Sequence, residues 1–381
     1  MRRILFVANG NGESAISARI AAATLALPGS LVACDLFPLV GTGPGAAPGG
    51  ALAVVGPRRV MPSGGLVAMG NLRAFASDLR AGFARLLGEQ LAFLARAHTG
   101  YDAVVAVGDA FALAMSLVTR APTIFVGTAK SLYVSPYGPG ERALLRRASR
   151  VFVRDEATAA LLRGQGVDAR APGNVIADLA THAAAPAGRY VGILPGSRMD
   201  AYADGVRLAR VARALGPLDP GLGALFSVAP TLDAARFADA LAADGWSVTP
   251  VARGDIPFEA RAGAMHLRAW TGELGSLLGG SIAVLGQAGT GNEQAAAFGV
   301  PVIALDDARA GASAWYRMRQ GRLLGDALVL VPEAPDRAAA AIASLLGDPV
   351  RLASMARAGR ARMGAPGGAS AIASALAEVV A

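Results

Sequence analysis

Short apolar runs alternate with longer amphipathic segments along the whole chain. The short runs predict buried strands, and the longer segments, with alanine and leucine on one face and arginine on the other, predict helices. This alternation is typical of a parallel sheet covered by helices. In the first half the predicted strands are 4–8, 31–35, 103–107, 123–127 and 150–153, and the predicted helices include 14–25 and 72–97.

A second series of apolar runs begins at residue 190 and repeats this rhythm. Its predicted strands are 190–194, 222–229, 246–251, 266–270, 281–286, 300–305 and 328–331. Residues 180–188 are rich in alanine, proline and glycine and predict a linker. The sequence therefore predicts the α/β class, with two doubly wound Rossmann-like domains facing a central cleft, 1–180 and 189–368. Ligands of such open sheets bind outside the carboxyl ends of the strands.

Composition and charge narrow the class of protein. Hydrophobic residues make up 53% of the 381 residues and charged residues 17%, which excludes a disordered chain. A single cysteine, Cys34, excludes a disulfide scaffold. The formal net charge is +8, and Lys130 is the only lysine, so the other 35 of the 36 basic residues are arginine. These arginines are scattered over predicted helix faces without interleaved aromatic residues, so nucleic-acid binding is not supported.

The first residues do not have the pattern of a signal peptide. Met1-Arg2-Arg3 precedes an apolar run of only residues 4–8, whereas a signal peptide needs about 7–15 apolar residues. No run of about 20 apolar residues predicts a membrane span. We therefore expect a cytoplasmic protein, and the arginine excess leaves open peripheral contact with an anionic surface of the inner membrane.

Two glycine-containing turns in the second half are candidate anion sites. Gly196-Ser197-Arg198 follows the strand 190–194, where glycine allows close approach of a ligand and arginine offers a planar fork suited to phosphate. A capping serine in an ordinary strand-to-helix turn explains this segment equally well.

The second turn is the stronger candidate. It consists of Gly289-Thr290-Gly291-Asn292-Glu293-Gln294 and leads from strand 281–286 into a small-residue helix. Such a turn points free N–H groups and the positive end of the helix dipole at an anion. Glu293, in the first helical turn, can also accept hydrogen bonds from ribose hydroxyls. Phosphate binding is favoured over ordinary capping by Thr290 or Asn292.

Three strand ends in the first half offer catalytic and acceptor-side candidates. Asn9-Gly10-Asn11-Gly12-Glu13-Ser14 lacks the last glycine of G-x-G-x-x-G, so a turn that admits a sugar or another acceptor is at least as well supported as NAD binding. Asp109, after strand 103–107, is either a general base or a helix N-cap, on equal grounds. The only lysine, Lys130, follows strand 123–127 and suggests a specific contact, although chance retention explains it too.

Other chemistries lack their characteristic residues. The histidines His98, His182 and His266 have no metal-ligand spacing, so no metal site is predicted. Neither a P-loop nor a G-x-S-x-G nucleophile motif occurs. Cys34 lies on an apolar predicted strand and is interpreted as a core residue rather than a nucleophile.

The ordered set of short motifs resembles a known family. Besides the turns described above, the set contains Met61-Pro62-Ser63-Gly64-Gly65, Val107-Gly108-Asp109, Gly127-Thr128-Ala129-Lys130, Val153-Arg154-Asp155, Gly173-Asn174 and Arg362-Met363-Gly364-Ala365-Pro366-Gly367. In this order, over nearly the whole chain, it is similar to the lipid-A-disaccharide-synthase-related family, which is distinct from the lipid A disaccharide synthases proper.

The resemblance implies a GT-B glycosyltransferase whose second domain holds a UDP-sugar as co-substrate, without a further cofactor. It implies that 194–198 and Gly289-Thr290 face the diphosphate, that Glu293 holds the ribose, and that helix dipole and arginine replace a metal. It also implies that the C-terminal helix, 369–381, packs on the first domain. Whether the protein forms a homodimer is left undecided by the sequence. The implied acceptor-side residues are Asn9, Gly10, Asn11, Gly12, Ser63, Gly64 and Lys130.

The sequence departs from the family pattern at two positions. Family members carry histidine and aspartate where this chain has Asn11 and Ser14, and an asparagine cannot act as a general base. The base is then Asp109 or Glu13. The tryptophan-rich segment of the authentic lipid A disaccharide synthases is missing near 130–141, so lipid A synthesis itself is not implied.

We therefore expect an inverting hexosyltransferase that uses a UDP-sugar. Its expected acceptor is lipid-linked, and the excess of positive charge would then contact the anionic membrane surface. One alternative is a catalytically degenerate GT-B protein that binds a nucleotide or a partner. A UDP-sugar epimerase, which shares the fold, ranks third because such enzymes use more carboxylates and histidines than this sequence offers.

Overall fold

The computed structural model describes residues 1–41, 43, 52–61, 72–179, 184–306 and 312–380. The chain divides into two compact units. The first unit is Met1–Asp178 together with Ala365–Ala381, and the second is Leu179–Gly364. The chain thus passes between the units twice, at residue 179 and again at residue 365.

The first unit is built on a seven-stranded parallel sheet. The strand order is β3-β2-β1-β4-β5-β6-β7. The strands are β1 (Arg2–Ala8), β2 (Val32–Pro38), β3 (Leu52–Val54), β4 (Ala103–Gly108), β5 (Thr123–Gly127), β6 (Arg150–Val153) and β7 (Ala169–Arg170). The helices are α1 (Asn11–Leu25), α2 (Leu72–Arg80), α3 (Phe83–Ala97), α4 (Ala110–Ser116), α5 (Pro139–Leu145), α6 (Glu156–Gly164), α7 (Val175–Leu179) and α15 (Gly368–Val380).

The second unit contains an eight-stranded mixed sheet in the order β10-β11-β12-β9-β8-β13-β14-β15. Its strands are β8 (Tyr190–Leu194), β9 (Gly223–Ser227), β10 (Ser247–Arg253), β11 (Ile256–Ala262), β12 (Met265–Trp270), β13 (Ser281–Gly286), β14 (Val302–Asp306) and β15 (Leu328–Pro332). Its helices are α8 (Ala201–Leu215), α9 (Ala234–Ala243), α10 (Leu274–Gly279), α11 (Thr290–Phe298), α12 (Ala312–Leu324), α13 (Pro335–Leu346) and α14 (Pro349–Met363).

One edge of the second sheet departs from the parallel pattern that the sequence predicts. Strands β10, β11 and β12 pair antiparallel, and β12 then joins β9 in parallel. Two tight turns make these reversals, each with a glycine at positive φ, Gly254 and Gly263. The buried positions of β11 and β12 alternate along each strand, as expected for strands that face the core on one side only.

The predicted helix 72–97 is two helices. Gly82 separates α2 from α3 and has a φ of 92°, in the left-handed region. Side-chain sterics make that conformation costly for residues other than glycine. The glycine therefore ends one helix and starts the next, although the apolar pattern continues through it.

The segment that leaves the first unit, 173–178, contacts the segment that returns to it, 365–369. Asp178 accepts hydrogen bonds from the N–H groups of Gly367 (2.6 Å) and Ala369 (2.7 Å) and so caps α15. The N–H of Asn174 donates to the carbonyl of Ala365 at 2.9 Å. A Cβ on Gly173 would lie 2.6 Å from the N atom of residue 368, so the close backbone approach requires glycine. Helix α15 packs on α1 in this unit.

Candidate functional site

Two loops touch at the carboxyl edge of the second sheet. Strands β8 and β13 are parallel neighbours that pair Leu194 with Gly286. The N–H groups of Gln287 and Ala288 both donate to the Leu194 carbonyl, at 3.0 and 3.2 Å. A Cβ on Gly196 would lie 4.0 Å from the Cα of Ala288. The structure therefore brings the two predicted phosphate-binding segments together.

The Gly196 loop connects β8 to α8 without capping that helix by its serine. Gly196 has a φ of 119°, in the region that favours glycine. Helix α8 begins at Ala201, and its N-cap is Asp200, so Ser197 does not cap it. Ser197 and Arg198 are exposed. The Thr231 hydroxyl donates to the Ser197 carbonyl at 3.0 Å and fixes the orientation of that peptide group.

Helix α11 begins with an uncapped glycine. Its N-cap is Gly289, which has no side chain to accept a hydrogen bond from the first turn, and Thr290 lies inside the helix and is therefore not its N-cap. Gly289 is exposed, and a Cβ there would meet no atom within 4 Å. The first N–H groups of a helix have no partner within the helix. Gly291, Glu293 and Gln294 follow in the first turns, each partly buried. This end of α11 is able to receive an anion.

Asn292 does not face solvent but is fully buried under the turn. Its Nδ2 donates to the Gly286 carbonyl at 3.1 Å and to Gln320 Oε1 at 3.0 Å. Gln320 Nε2 in turn donates to the carbonyls of Ala288 (2.8 Å) and Gly289 (3.0 Å). The sequence gives no signal for Gln320, which lies on another helix and 28 residues beyond Asn292.

In the first unit, Asp109 is the N-cap of α4. Its Oδ1 accepts hydrogen bonds from the N–H groups of Phe111 (3.0 Å) and Ala112 (3.1 Å). Of the two interpretations that the sequence left equal, the structure shows the cap.

Glu13 lies at the strand ends of β1, β4 and β5. Helix α1 begins at Asn11 rather than at the predicted residue 14, which places Glu13 in its first turn. Glu13 Oε1 accepts from the hydroxyl of Thr128 at 3.2 Å. A Cβ on Gly10 would lie 2.6 Å from Glu13 Oε2, so the carboxylate folds back over this glycine. The backbone of Thr128 is fixed as well, because its carbonyl accepts from Arg154 Nη1 at 3.1 Å.

The remaining acceptor-side candidates are more scattered. Asn9 lies close to Gly108, where a Cβ would come within 3.1 Å of the Asn9 Cβ. Asn11 is exposed and Gly12 is half-buried, both at the start of α1. Two further candidates, Ser63 and Gly64, lie outside the described residues.

Lys130 makes its contacts within the chain. Its Nζ pairs with Glu141 Oε2 at 2.7 Å and lies 5.9 Å from the centre of the Tyr137 ring. The same carboxylate oxygen accepts from the N–H of Gly138 at 2.7 Å. Burial, followed by the charge of Glu141, raises the pKa of the Tyr137 hydroxyl. The structure thus shows a stabilising contact for the only lysine.

The sequence set aside the histidines and Cys34 as site residues. His98 follows α3 on the surface, and His266 pairs with Glu259 on the antiparallel edge, while His182 lies outside the described residues. Cys34 is buried, and burial raises the pKa of its thiol to about 12, with Asp35 adding to the shift. Over the described ranges, no three His, Cys, Asp or Glu residues are grouped as metal ligands would be. Within the same ranges, no helix has the length and apolarity of a membrane span.

Solved structures share this architecture. A Listeria monocytogenes protein assigned as a UDP-N-acetylglucosamine 2-epimerase has a TM-score of 0.61 at 14% identity, covering 98% of this chain and 95% of that one. The Neisseria meningitidis UDP-GlcNAc 2-epimerase bound to UDP-GlcNAc has a TM-score of 0.58 at 14% identity, with coverages of 99% and 100%. Phytolacca americana UGT2, complexed with UDP-2-fluoro-glucose and pterostilbene, has a TM-score of 0.59 at 13% identity, with coverages of 100% and 100%.

These likenesses show the fold: the chain has the two-domain GT-B architecture with two mainly parallel sheets. No protein-family model matches the sequence, and no curated protein is similar to it in sequence. The GT-B part of the resemblance stated above is therefore confirmed, and membership of the lipid-A-disaccharide-synthase-related family stays a prediction.

Proposed function

We propose that the protein is a metal-independent inverting glycosyltransferase that moves a hexose from a UDP-sugar to an acceptor hydroxyl. One observation carries the donor side of the proposal: the uncapped glycine at the start of α11 adjoins the loop that contains Arg198. Helix N–H groups and a guanidinium both stabilise a diphosphate, and more so as negative charge develops on it during departure. Similar folds that hold UDP-sugars support this assignment.

The base that we propose is Glu13. In the transfer, the acceptor oxygen loses its proton to Glu13 and forms a bond to the anomeric carbon. The bond from that carbon to the diphosphate breaks, and UDP departs with the electron pair. Glu13 is better suited to this step than Asp109, because Asp109 already holds two N–H groups of α4. The Glu13 carboxylate lies at the strand ends and accepts from the Thr128 hydroxyl at 3.2 Å.

The acceptor that we propose is lipid-linked and is reached at an anionic membrane surface. Two large apolar side chains close in sequence to Asp109 and Lys130 are partly exposed, Phe111 at 41% and Leu132 at 41%. An amphiphilic acceptor would contact such side chains with its apolar part. Vesicles that contain anionic lipid should therefore retain the protein at low salt, and neutral vesicles should not. Equal recovery with both would contradict the membrane part of the proposal.

A second candidate function is epimerisation of a UDP-sugar at carbon 2, because several similar structures are UDP-GlcNAc 2-epimerases. Epimerisation inverts the C2 centre and exchanges its hydrogen with solvent, whereas glycosyl transfer leaves C2 untouched. Incubation with UDP-GlcNAc in D₂O distinguishes the two by NMR. Deuterium at C2 would replace our proposal with the epimerase.

The transferase proposal is tested by release of UDP from a panel of UDP-sugars, with and without added acceptor. We expect slow hydrolysis that depends on Glu13, and UDP binding that weakens about tenfold in Arg198→Ala and in Glu293→Ala, since charge-assisted hydrogen bonds contribute about 1.5–3 kcal/mol. UDP binding without any turnover would favour the degenerate binding protein instead. Absence of UDP binding would contradict the proposal.

A further inference from the structure

Gln320 of α12 reaches across to the turn that begins α11. Its Nε2 donates to the carbonyl of Ala288 at 2.8 Å and to the carbonyl of Gly289 at 3.0 Å. Its Oε1 accepts from Asn292 Nδ2 at 3.0 Å, and the same Nδ2 donates to the Gly286 carbonyl at 3.1 Å. One amide from a separate helix therefore holds two successive peptide groups of the turn.

The acceptors determine which way both side-chain amides face. Two carbonyl oxygens can only be met by the NH₂ group of Gln320, so its oxygen must point to Asn292. Asn292 must then present its own NH₂ group to Gln320. Because Asn292 is fully buried, water does not compete for the bond that its amide donates to the Gly286 carbonyl. The two amides form one relay with a single consistent orientation.

The relay determines the direction of the N–H groups in the turn. In a trans peptide group the N–H points opposite to the C=O, and the chain contains no cis peptide bond in the described residues. Because the carbonyls of Ala288 and Gly289 face Gln320, the N–H groups of Gly289 and Thr290 point away from it. The turn thus presents donors, rather than carbonyl oxygens, to an incoming anion.

We propose that Gln320 is a positioning residue for recognition of the donor diphosphate, an inference that rests on the function proposed above. It touches neither phosphate nor sugar in this role. Together with the Glu293 N–H group, which also donates to the Gly289 carbonyl at 3.3 Å, it prevents the two peptide groups from turning their oxygens toward the ligand, where these oxygens would repel a phosphate. The class of ligand affected is therefore phosphate-bearing nucleotides, and a nucleoside without phosphate is indifferent to Gln320.

The test compares UDP with uridine on the full chain. Gln320→Met keeps the length of the side chain and removes both hydrogen-bonding groups. Gln320→Glu keeps the oxygen that meets Asn292 but turns a second oxygen toward two carbonyls. Met318→Ala, an exposed position on the same helix, is the matched control. Calorimetry gives the Kd for UDP, and ligand-observed NMR gives the Kd for the more weakly bound uridine.

We expect Gln320→Met to raise the Kd for UDP about tenfold, a loss of about 1.4 kcal/mol, and to leave the Kd for uridine within about twofold. Gln320→Glu should weaken UDP further, and Met318→Ala should change neither ligand. A merely structural role would weaken both ligands together. If Gln320→Met does not fold, the ratio of the Kd for UDP to the Kd for uridine in Gln320→Glu distinguishes the positioning role from a structural one.

Two failures are distinguishable. If the wild-type chain binds UDP and the Gln320 variants bind it equally well, or lose UDP and uridine in parallel, the positioning role is wrong and the proposed function stands. If the wild-type chain binds no UDP, the proposed function and the positioning role are both overturned.

Discussion

Four helices that begin at the carboxyl edges of the two sheets differ in how their N-termini are capped. In the first unit, Asp109 caps α4 and Asp155 caps α6, each with a carboxylate oxygen on backbone N–H groups. In the second unit, α8 and α11 begin without a side-chain cap among the described residues. A carboxylate at a helix N-terminus occupies the donors and repels a second anion. At these four N-termini the difference favours α8 and α11 as the diphosphate site, whereas the uncapped α1 and the Asp233-capped α9 do not follow the same division.

The same comparison separates two kinds of glycine. Gly10 in the first unit makes room for a side chain of the protein itself, the Glu13 carboxylate. Gly289 in the second unit makes room for nothing in the described structure, since no atom would approach its Cβ within 4 Å. Glycine before a helix is thus not by itself a sign of phosphate binding. What distinguishes the two turns is whether the space above the glycine is already filled.

The largest expected effect separates the two carboxylates of the first unit. Glu13→Gln keeps an oxygen for the Thr128 hydroxyl but removes the base, so turnover should fall about 100-fold or more, with UDP affinity unchanged. Asp109→Asn keeps the capping oxygen and should change turnover by less than about threefold. Steady-state rates of UDP release measure both. A larger loss in Asp109→Asn than in Glu13→Gln would reverse our assignment of the base.

The second prediction concerns a variant that disrupts the hydrogen bonds of Asn292 and Gln320 beneath the turn that begins α11. A Cβ on Gly286 would collide with Asn292 Oδ1, and Asn292 is buried and cannot move aside. Gly286→Ala should therefore destabilise the protein by about 1–3 kcal/mol and weaken UDP binding as well. Urea denaturation and calorimetry measure the two quantities. An unchanged stability would show that the turn is less tightly packed than its geometry indicates.

Several strands and the turns after them could be predicted from the sequence alone. Strands 123–127, 150–153, 190–194 and 281–286 agree with the structure residue for residue. Buried parallel strands are continuous apolar runs with turn residues at each end, so both their extent and their boundaries are visible in a sequence. The adjoining glycine-rich turns could be recognised for the same reason, because each directly follows such a strand.

Other features depend on contacts that a sequence pattern does not contain. The antiparallel edge was missed because 256–262 alternates apolar and charged residues and so lacks the continuous apolar run that marks the other strands. The choice between cap and base at Asp109 depends on two distances to backbone N–H groups. Gln320 acts through a side chain that reaches another helix, and no local motif marks it. Packing between elements, not propensity within them, decides these cases.

The third prediction concerns a variant that fills the unoccupied space beside Gly289 and should leave the fold unchanged. Gly289→Ala adds a methyl group where no described atom lies within 4 Å, at a φ of −77°, which is not in the left-handed region that requires glycine. Stability should stay within about 0.5 kcal/mol, while the Kd for UDP should rise about tenfold because the methyl group blocks close approach to the N–H groups. Thermal unfolding and calorimetry measure this pair. A change in stability with unchanged UDP affinity would mean that the space has a structural role instead.

The smallest expected effect comes from removing the Asp109 cap of α4 in the first unit. Asp109→Ala deprives α4 of its side-chain acceptor and should cost about 1 kcal/mol of stability, as N-cap removals do. It should not create a UDP site in the first unit, because Glu13 remains nearby. Urea denaturation measures the cost, with Asp109→Asn as the control that keeps the cap. Tighter UDP binding in Asp109→Ala would contradict the contrast between the two edges.

The most direct test of the account locates the bound nucleotide. Amide hydrogen exchange, followed peptide by peptide with and without saturating UDP, reports on backbone N–H groups at both edges. We predict new protection in the peptides that cover 287–294 and 195–200, and no change over 109–113, where Asp109 already holds the N–H groups. Protection over 109–113 with none over 287–294 would place the nucleotide on the first unit and contradict the central claim.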